Sequence, residues 1–157
     1  MPSPTPPREM RLTMRVLGHW REICGDREFP ALAEITAERL EADWPHCLLI
    51  AIDAEPERSS FFYVGPALVV PDGPSVVGSP VAACSRENIL GLATAYLGTV
   101  LQRRVPVSMS GAGAHLGAPI LYRSILLPLS SDGHQIDGLL GAANFRYVRT
   151  GEEEHSS

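Results

Sequence analysis

No lysine occurs among the 157 residues: all 13 basic residues are arginine, set against 18 acidic ones, for a formal net charge of -5. Together with 14 Pro and 14 Gly, that bias reads as codon usage in GC-rich coding sequence and assigns no partner. An acidic balance without an extended arginine run argues against nonspecific nucleic-acid binding, whose affinity comes mainly from neutralised phosphates. Cysteine is scarce. Cys24, Cys47 and Cys84 stand far apart with no C-x-x-C pair, which excludes a disulfide framework and a zinc ribbon. They read as small apolar side chains in a reducing, cytoplasmic setting. Long apolar runs are missing too. The longest uncharged stretch with helical character, between Asn88 and Gln102, is short of the ~20 residues a bilayer span requires, so membrane insertion is not expected. Met1 to Pro7 has neither the apolar core nor the early basic residue of a signal peptide.

What is present suits one domain. Hydrophobic residues make up 45% of a chain of this length, enough for one core but not for two independent ones. The proline-rich residues 1–8 and the acidic residues 150–157 are expected to be disordered tails around a domain spanning 9–149, because neither end can bury enough apolar surface to offset ordering.

Glu9 to Cys24 carries Met10, Met14 and Leu17 at spacings of four and three, with Leu12, Val16, Trp20 and Ile23 widening the stripe. That pattern predicts an amphipathic helix ended by Gly25. Arg8, Arg11 and Arg15 fall on its opposite, solvated face. Thr36 caps a short helix over Ala37 to Ala42, stopped by Pro45. Cys47 to Asp53 and Ser60 to Val70 read as antiparallel strands. Turn chemistry follows at Pro71 to Pro74, and Ser85 opens a helix that closes near Arg103 and Arg104, favourably placed cations, before Pro106. Val105 to Gly111, Ile120 to Leu129 and Gly138 to Tyr147 read as three further strands, joined by Gly111 to Pro119 and by Ser130 to Gly133. The order predicts an α+β domain: a five-stranded antiparallel sheet with helices packed on one face and an N-terminal amphipathic helix.

Five segments, LGHWREICGDREFP (17–30), WPHCLLIAID (44–53), YVGPALV (63–69), RSILLPLSSDG (123–133) and DGLLGAANF (137–145), follow in an order and spacing that resembles the PAS domain, in its compact single-domain bacterial form. The resemblance covers about Leu17 to Tyr147. Pro66 departs from it, where a small hydroxyl residue is more usual, as does Ser75 to Ala83. What the resemblance implies is a sensory or protein-interaction domain around a small central cavity, and not an enzyme.

Candidate chemistries are few. Gly111 to Gly117 looks superficially like a dinucleotide loop, but Pro119 and the strand-like Ile120 to Leu129 replace the helix whose amides would face a pyrophosphate. His19, His46, His115, His134 and His155 have no metal-ligand spacing. Within the resemblance, haem is disfavoured because residues 86–104 hold no histidine, and covalent flavin is disfavoured because Cys84-Ser85-Arg86 does not match the reactive Asn-Cys-Arg context. No G-x-S-x-G elbow occurs, and Glu34, Glu38, Glu41 and Asp43 read as solvated charge. Tyr63, Tyr96, Met109, Leu126 and Asn144 are candidate cavity residues, with ordinary core packing as the alternative. Met10, Met14, Leu17 and Trp20 are candidate interface residues, since adaptable methionine beside an aromatic anchor suits docking. The expected function is a free-standing PAS-type module in bacterial signal transduction, acting as a homodimer or by docking on a histidine kinase or other regulator, with a small ligand as gate. The alternative is a small-molecule binding protein with no signalling output.

Overall fold

The computed structural model describes residues 11–149. Helix α1 runs from Leu12 to Cys24 and buries Leu12, Val16, Trp20 and Ile23, the spacing of a single helical stripe. It ends where Gly25 takes a φ of 61° and donates its N–H to the Arg21 carbonyl, a conformation favoured at glycine. The expected beginning at Glu9 and Met10 lies outside the described residues. The Thr36 hydroxyl accepts from the Arg39 N–H and opens α2, Ala37–Leu40. This helix is shorter than its spacing predicts, because Glu41 turns to a φ of 53° and the chain continues as a 3₁₀ segment, Glu41–His46, around Pro45.

Strands β1 (Cys47–Ala51) and β2 (Ser60–Val64) pair antiparallel, with a bulge between Leu49 and Ile50. β2 stops short of the expected Val70. Gly65 lies so close to the preceding segment that a Cβ there would stand 2.2 Å from the Pro45 carbonyl oxygen, and Pro66 then opens a 3₁₀ turn. The outer edge of β2 is covered by the following loop: Phe61 donates its N–H to the Ser79 carbonyl, and Ser60 bridges Pro80.

The helix expected from Ser85 is two helices, α3 (Ile89–Thr94) and α4 (Leu97–Arg103), the first capped by Asn88, whose side chain accepts from the Gly91 N–H. Ser85 instead turns its hydroxyl to the Glu87 N–H. The chain breaks near Tyr96, where the Thr94 hydroxyl has folded back onto the Leu90 carbonyl at 2.8 Å, a local competitor of the helical ladder.

Strands β3 (Val107–His115) and β4 (Ala118–Leu129) replace the expected glycine-rich connection with continuous pairing. The turn is two residues, Leu116 and Gly117, both at positive φ, the backbone that a tight hairpin demands. β5 (Gly138–Tyr147) completes a five-stranded antiparallel sheet in the order β2-β1-β5-β4-β3.

Both faces of the sheet are covered. α3 and α4 pack on one face with Leu48, Ile50, Phe61, Leu126 and Leu139. α1 lies on the other with Cys47, Leu49, Ile125, Leu127, Leu129 and Leu140. Strict alternation along β4 and β5 makes this possible: Leu126 and Leu139 face α3 and α4 while their neighbours Leu127 and Leu140 face α1. The fold is α+β, with crossover helices on one face and the N-terminal amphipathic helix closing the opposite one.

Candidate functional site

Between the crossover helices and the sheet, Tyr96 sits at the junction of α3 and α4, and its hydroxyl lies 2.8 Å from the Ser124 hydroxyl on β4. Both residues are buried, at 8% and 0% exposure. Burial pushes the Tyr96 phenol well above its ordinary range, outweighing the opposing effect of the Ser124 hydrogen bond, so the pair stays neutral and can exchange donor and acceptor roles. Aliphatic side chains surround it: Leu48, Ile50, Ile89, Val100, Leu126 and Leu139. Leu48 and Leu126 meet over Gly141, where a Cβ would stand 2.8 Å and 2.9 Å from their methyl carbons.

The expected cavity residues divide between three places. Tyr96 and Leu126 belong to this interior. Tyr63 does not: it packs against the α1 cluster, stacks on Trp44 with ring centroids 4.1 Å apart and donates its hydroxyl to the Trp44 carbonyl. Asn144 is exposed opposite Arg123, and Met109 lies on the outermost strand at 41% exposure. The bulge in β1–β2 accounts for Tyr63, because one step of register carries a side chain to the other face, whereas Met109 shares the face of its partner Ser124 but sits on the edge strand.

His115 was not assigned a role from the sequence, where it stood in a glycine-rich loop. It closes β3, is buried at 3% exposure, accepts the Ile89 N–H at Nδ1 over 3.1 Å, and rests against the Phe145 ring. That acceptor role requires a neutral imidazole with its proton on Nε2, and burial lowers its pKa from the ordinary histidine value. The Leu116-Gly117 turn is the sequence signal that places His115 at a strand end.

On the α1 side, the residues of the expected interface stripe lie in different surroundings. Trp20 is a core anchor, 8% exposed, with its indole N–H donated to the Pro128 carbonyl at 2.9 Å. Leu17 is half-buried against the core, Met14 is 51% exposed, and Met10 lies outside the described residues. Arg15 and Asp43, both expected among solvated charges, form a fork: Arg15 Nε donates at 3.0 Å and Nη2 at 2.8 Å to Asp43 Oδ1. Asp43 is only 6% exposed, and His19 Nε2 stands 3.8 Å from its other oxygen. Glu34 likewise is paired, with Arg27 at 2.8 Å, and it accepts the Ala31 N–H; these hydrogen bonds, that of Arg27 first, hold its carboxyl below the ordinary range.

Two surface clefts flank these layers. One, of about 280 Å³, lies between the end of β1, α4 and the β4–β5 connection, with Asp53, Arg104 and Asp137 among its walls. The other, of about 220 Å³, separates the first half of α1 from β3 and β4 and is lined by Arg11, Met14, Leu17, Met109 and Arg123 among others. Among the described residues no group of three or more His, Cys, Asp or Glu side chains forms a metal-binding cluster, and no helix is long and apolar enough to cross a membrane.

No family model and no curated protein matches the chain. Solved structures do. The dark structure of the blue-light photoreceptor Aureochrome1 LOV is similar over 74% of this chain and 84% of that one, at 13% identity and a TM-score of 0.48. The LOV domain from the Erythrobacter litoralis EL346 blue-light activated histidine kinase is similar over 65% of this chain and 95% of that one, at 13% identity and a TM-score of 0.46. A structure described as a flavin analogue shedding light on the light-oxygen-voltage domain mechanism is similar over 69% and 81%, at 11% identity and a TM-score of 0.45. The three structures named are light-oxygen-voltage structures, one of them described with a flavin analogue, and that finding overturns the expectation that set covalent flavin aside. At these identities the likeness is one of fold. Strand order, the helical crossover between β2 and β3, and the two covered faces together make the fold of this chain a PAS-type fold.

Proposed function

We propose that the chain is a PAS-type sensory and protein-interaction module, with its input between α3, α4 and the sheet and its output on the α1 face. One observation carries the reading: consecutive residues of β4 touch both layers. Ser124 bonds Tyr96 on the helix side, and Ile125 packs beneath α1 in the opposite cluster. A change in the Tyr96 and Ser124 pair is thereby felt one residue away by the packing of α1. Close-packed layers transmit such shifts because they cannot deform continuously. The output partner is read as a second copy, received by the exposed Met14 beside Leu17, with a regulatory protein such as a histidine kinase as the alternative occupant should the chain prove monomeric.

The experiment is native mass spectrometry of freshly purified protein, paired with its absorption spectrum and with amide exchange of α1. A stoichiometric added mass, with a flavin revealed by its blue absorption band, identifies the input. Removing that ligand then changes exchange at Val16 and Trp20 if the layers are coupled. A ligand that exchanges freely with no change in α1 or in association favours a binding protein without signalling output.

A further inference from the structure

β3 is the last strand of the sheet, and among the described residues no other backbone segment pairs with its outer edge. The opposite end of the sheet is closed, because the chain around Gly78 to Pro80 bonds along β2. Over its nine residues, VSMSGAGAH, β3 carries no proline, carboxylate or arginine, and it pairs with β4 without a bulge. Those are the devices that keep a strand edge from pairing further. A row of unpaired N–H and C=O groups of this length is a template for another extended segment.

The side chains along this edge fit a second copy of the same strand. When two copies of β3 run antiparallel about Gly111, Met109 of one faces Gly113 of the other, and Ser108 faces Ala114, each pair sharing one side of the sheet. Met109 lies exposed on the crossover-helix side and meets a position without a side chain. Leu92 already rests there, so close that a Cβ on Gly113 would stand 2.6 Å from its Cδ1, and the methionine of one copy packs on the leucine of the other. At each end of the pair the exposed Leu116 comes against the exposed Val105 of the other copy. Large apolar side chains left bare in one chain thus cover one another in two. On the α1 side only serine and alanine meet, which leaves room for Met14, since it shares a cleft with Ser108 and Ser110. The chain is acidic at -5, yet its uncharged edge lets two copies approach.

We propose that the second copy adds its β3 to this edge, antiparallel about a two-fold axis through Gly111, so that two five-stranded sheets continue into one with both α1 helices on the same face. The inference deepens the proposed output surface and rests on it. Met14 then lies at the rim of the strand pair, over Ala112 and Ala114 of the other copy, and a shift of α1 is read as a change in pairing.

The test is disulfide trapping in the full-length chain, in a Cys84→Ser background because Cys24 and Cys47 are buried and Cys84 is not. Directly opposite residues bring their Cα atoms to about 4.5–5.5 Å, within disulfide reach. An oxidised mixture of Ser108→Cys and Ala114→Cys proteins, each with unchanged circular dichroism, is expected to yield the mixed dimer, located by mass spectrometry of the linked peptides. Ser108→Cys alone stays unlinked, because its two sulfurs stand about 20 Å apart along the strands. Ser110→Lys, folded by the same criterion, sets like charges near the axis and is expected to weaken association about tenfold or more in sedimentation. Equal linking of Ser108→Cys with itself, or a concentration-dependent dimer with no link between the two positions, overturns the edge pairing and leaves the Met14 surface standing. Mixed links undiminished by Met14→Glu retain the pairing and remove Met14 from the output. A chain that is monomeric at every concentration overturns both, and protection of the outward β3 amides in that monomer shows that another part of the same chain covers the edge.

Discussion

The hydroxyls of Tyr96 and Ser124 stand 2.8 Å apart in the buried interior, one on the junction of the crossover helices and the other on the central length of β4. Their bond joins two layers that meet largely through apolar side chains, alongside the Ile89 N–H to His115 hydrogen bond. Removing one partner of a buried pair costs more than removing both, since the survivor keeps its desolvation penalty without its hydrogen bond. Ser124→Ala is therefore expected to lower unfolding free energy by about 1–3 kcal/mol, and Ser124→Ala combined with Tyr96→Phe by less than that. Urea denaturation of both single variants and the double variant measures this; a double variant as unstable as the sum of the singles contradicts the pairing.

His115 ties β3 to the start of α3 by accepting the Ile89 N–H, which only a neutral imidazole can do. Its folded pKa lies below the ordinary value of 6.5 because it is buried. Below about pH 6.5 the unfolded chain takes up a proton that the folded chain refuses, so stability is full above that pH and falls as pH drops through the lower folded value. Melting temperature is expected to decline between pH 7 and 5, and His115→Asn, which retains an acceptor near the Nδ1 position, is expected to decline less steeply. Parallel pH profiles for the two proteins overturn the assignment. His19, His46, His134 and His155 remain in both, so the difference isolates one group.

Asp43 is held under α1 by the Arg15 fork. Charge-assisted, two-pronged bonds are the stronger kind, and here one partner is nearly buried. Asp43→Ala is expected to destabilise the chain by about 1.5–3 kcal/mol and to raise amide exchange in the first two turns of α1. A variant within experimental error of the parent in both measurements shows that the fork holds nothing in place.

Much of the architecture is legible in the sequence because its signals are local and redundant. Leu12, Val16, Trp20 and Ile23 mark one helical face, and the alternation of Leu139 and Leu140 with their neighbours marks a strand covered on both sides. The limits of the elements are less so. The division of α3 from α4 depends on the Thr94 hydroxyl and on where Tyr96 finds Ser124, a partner 28 residues away. β3 runs through the glycines because pairing with β4 supplies what their side chains do not. Of the candidate cavity residues, Tyr96 and Leu126 fall in the interior between the crossover helices and the sheet, while Tyr63 is carried to the other face by a bulge whose position no local pattern reveals. His115 was overlooked for the same reason, since its partner Ile89 is distant in sequence. Arg15 and Asp43 looked like solvated charges because their partnership exists only after α1 has packed.

The most direct test of the account is sedimentation equilibrium of the full chain over a wide concentration range, beside Met14→Glu with its fold checked by circular dichroism. Met14 is half exposed and outside the packed stripe of α1, so the substitution changes the surface and not the core. The account predicts concentration-dependent self-association of the parent chain and a monomer for Met14→Glu at every concentration, both with the same spectrum. A parent chain that is monomeric throughout, or a folded Met14→Glu variant that associates equally well, contradicts it.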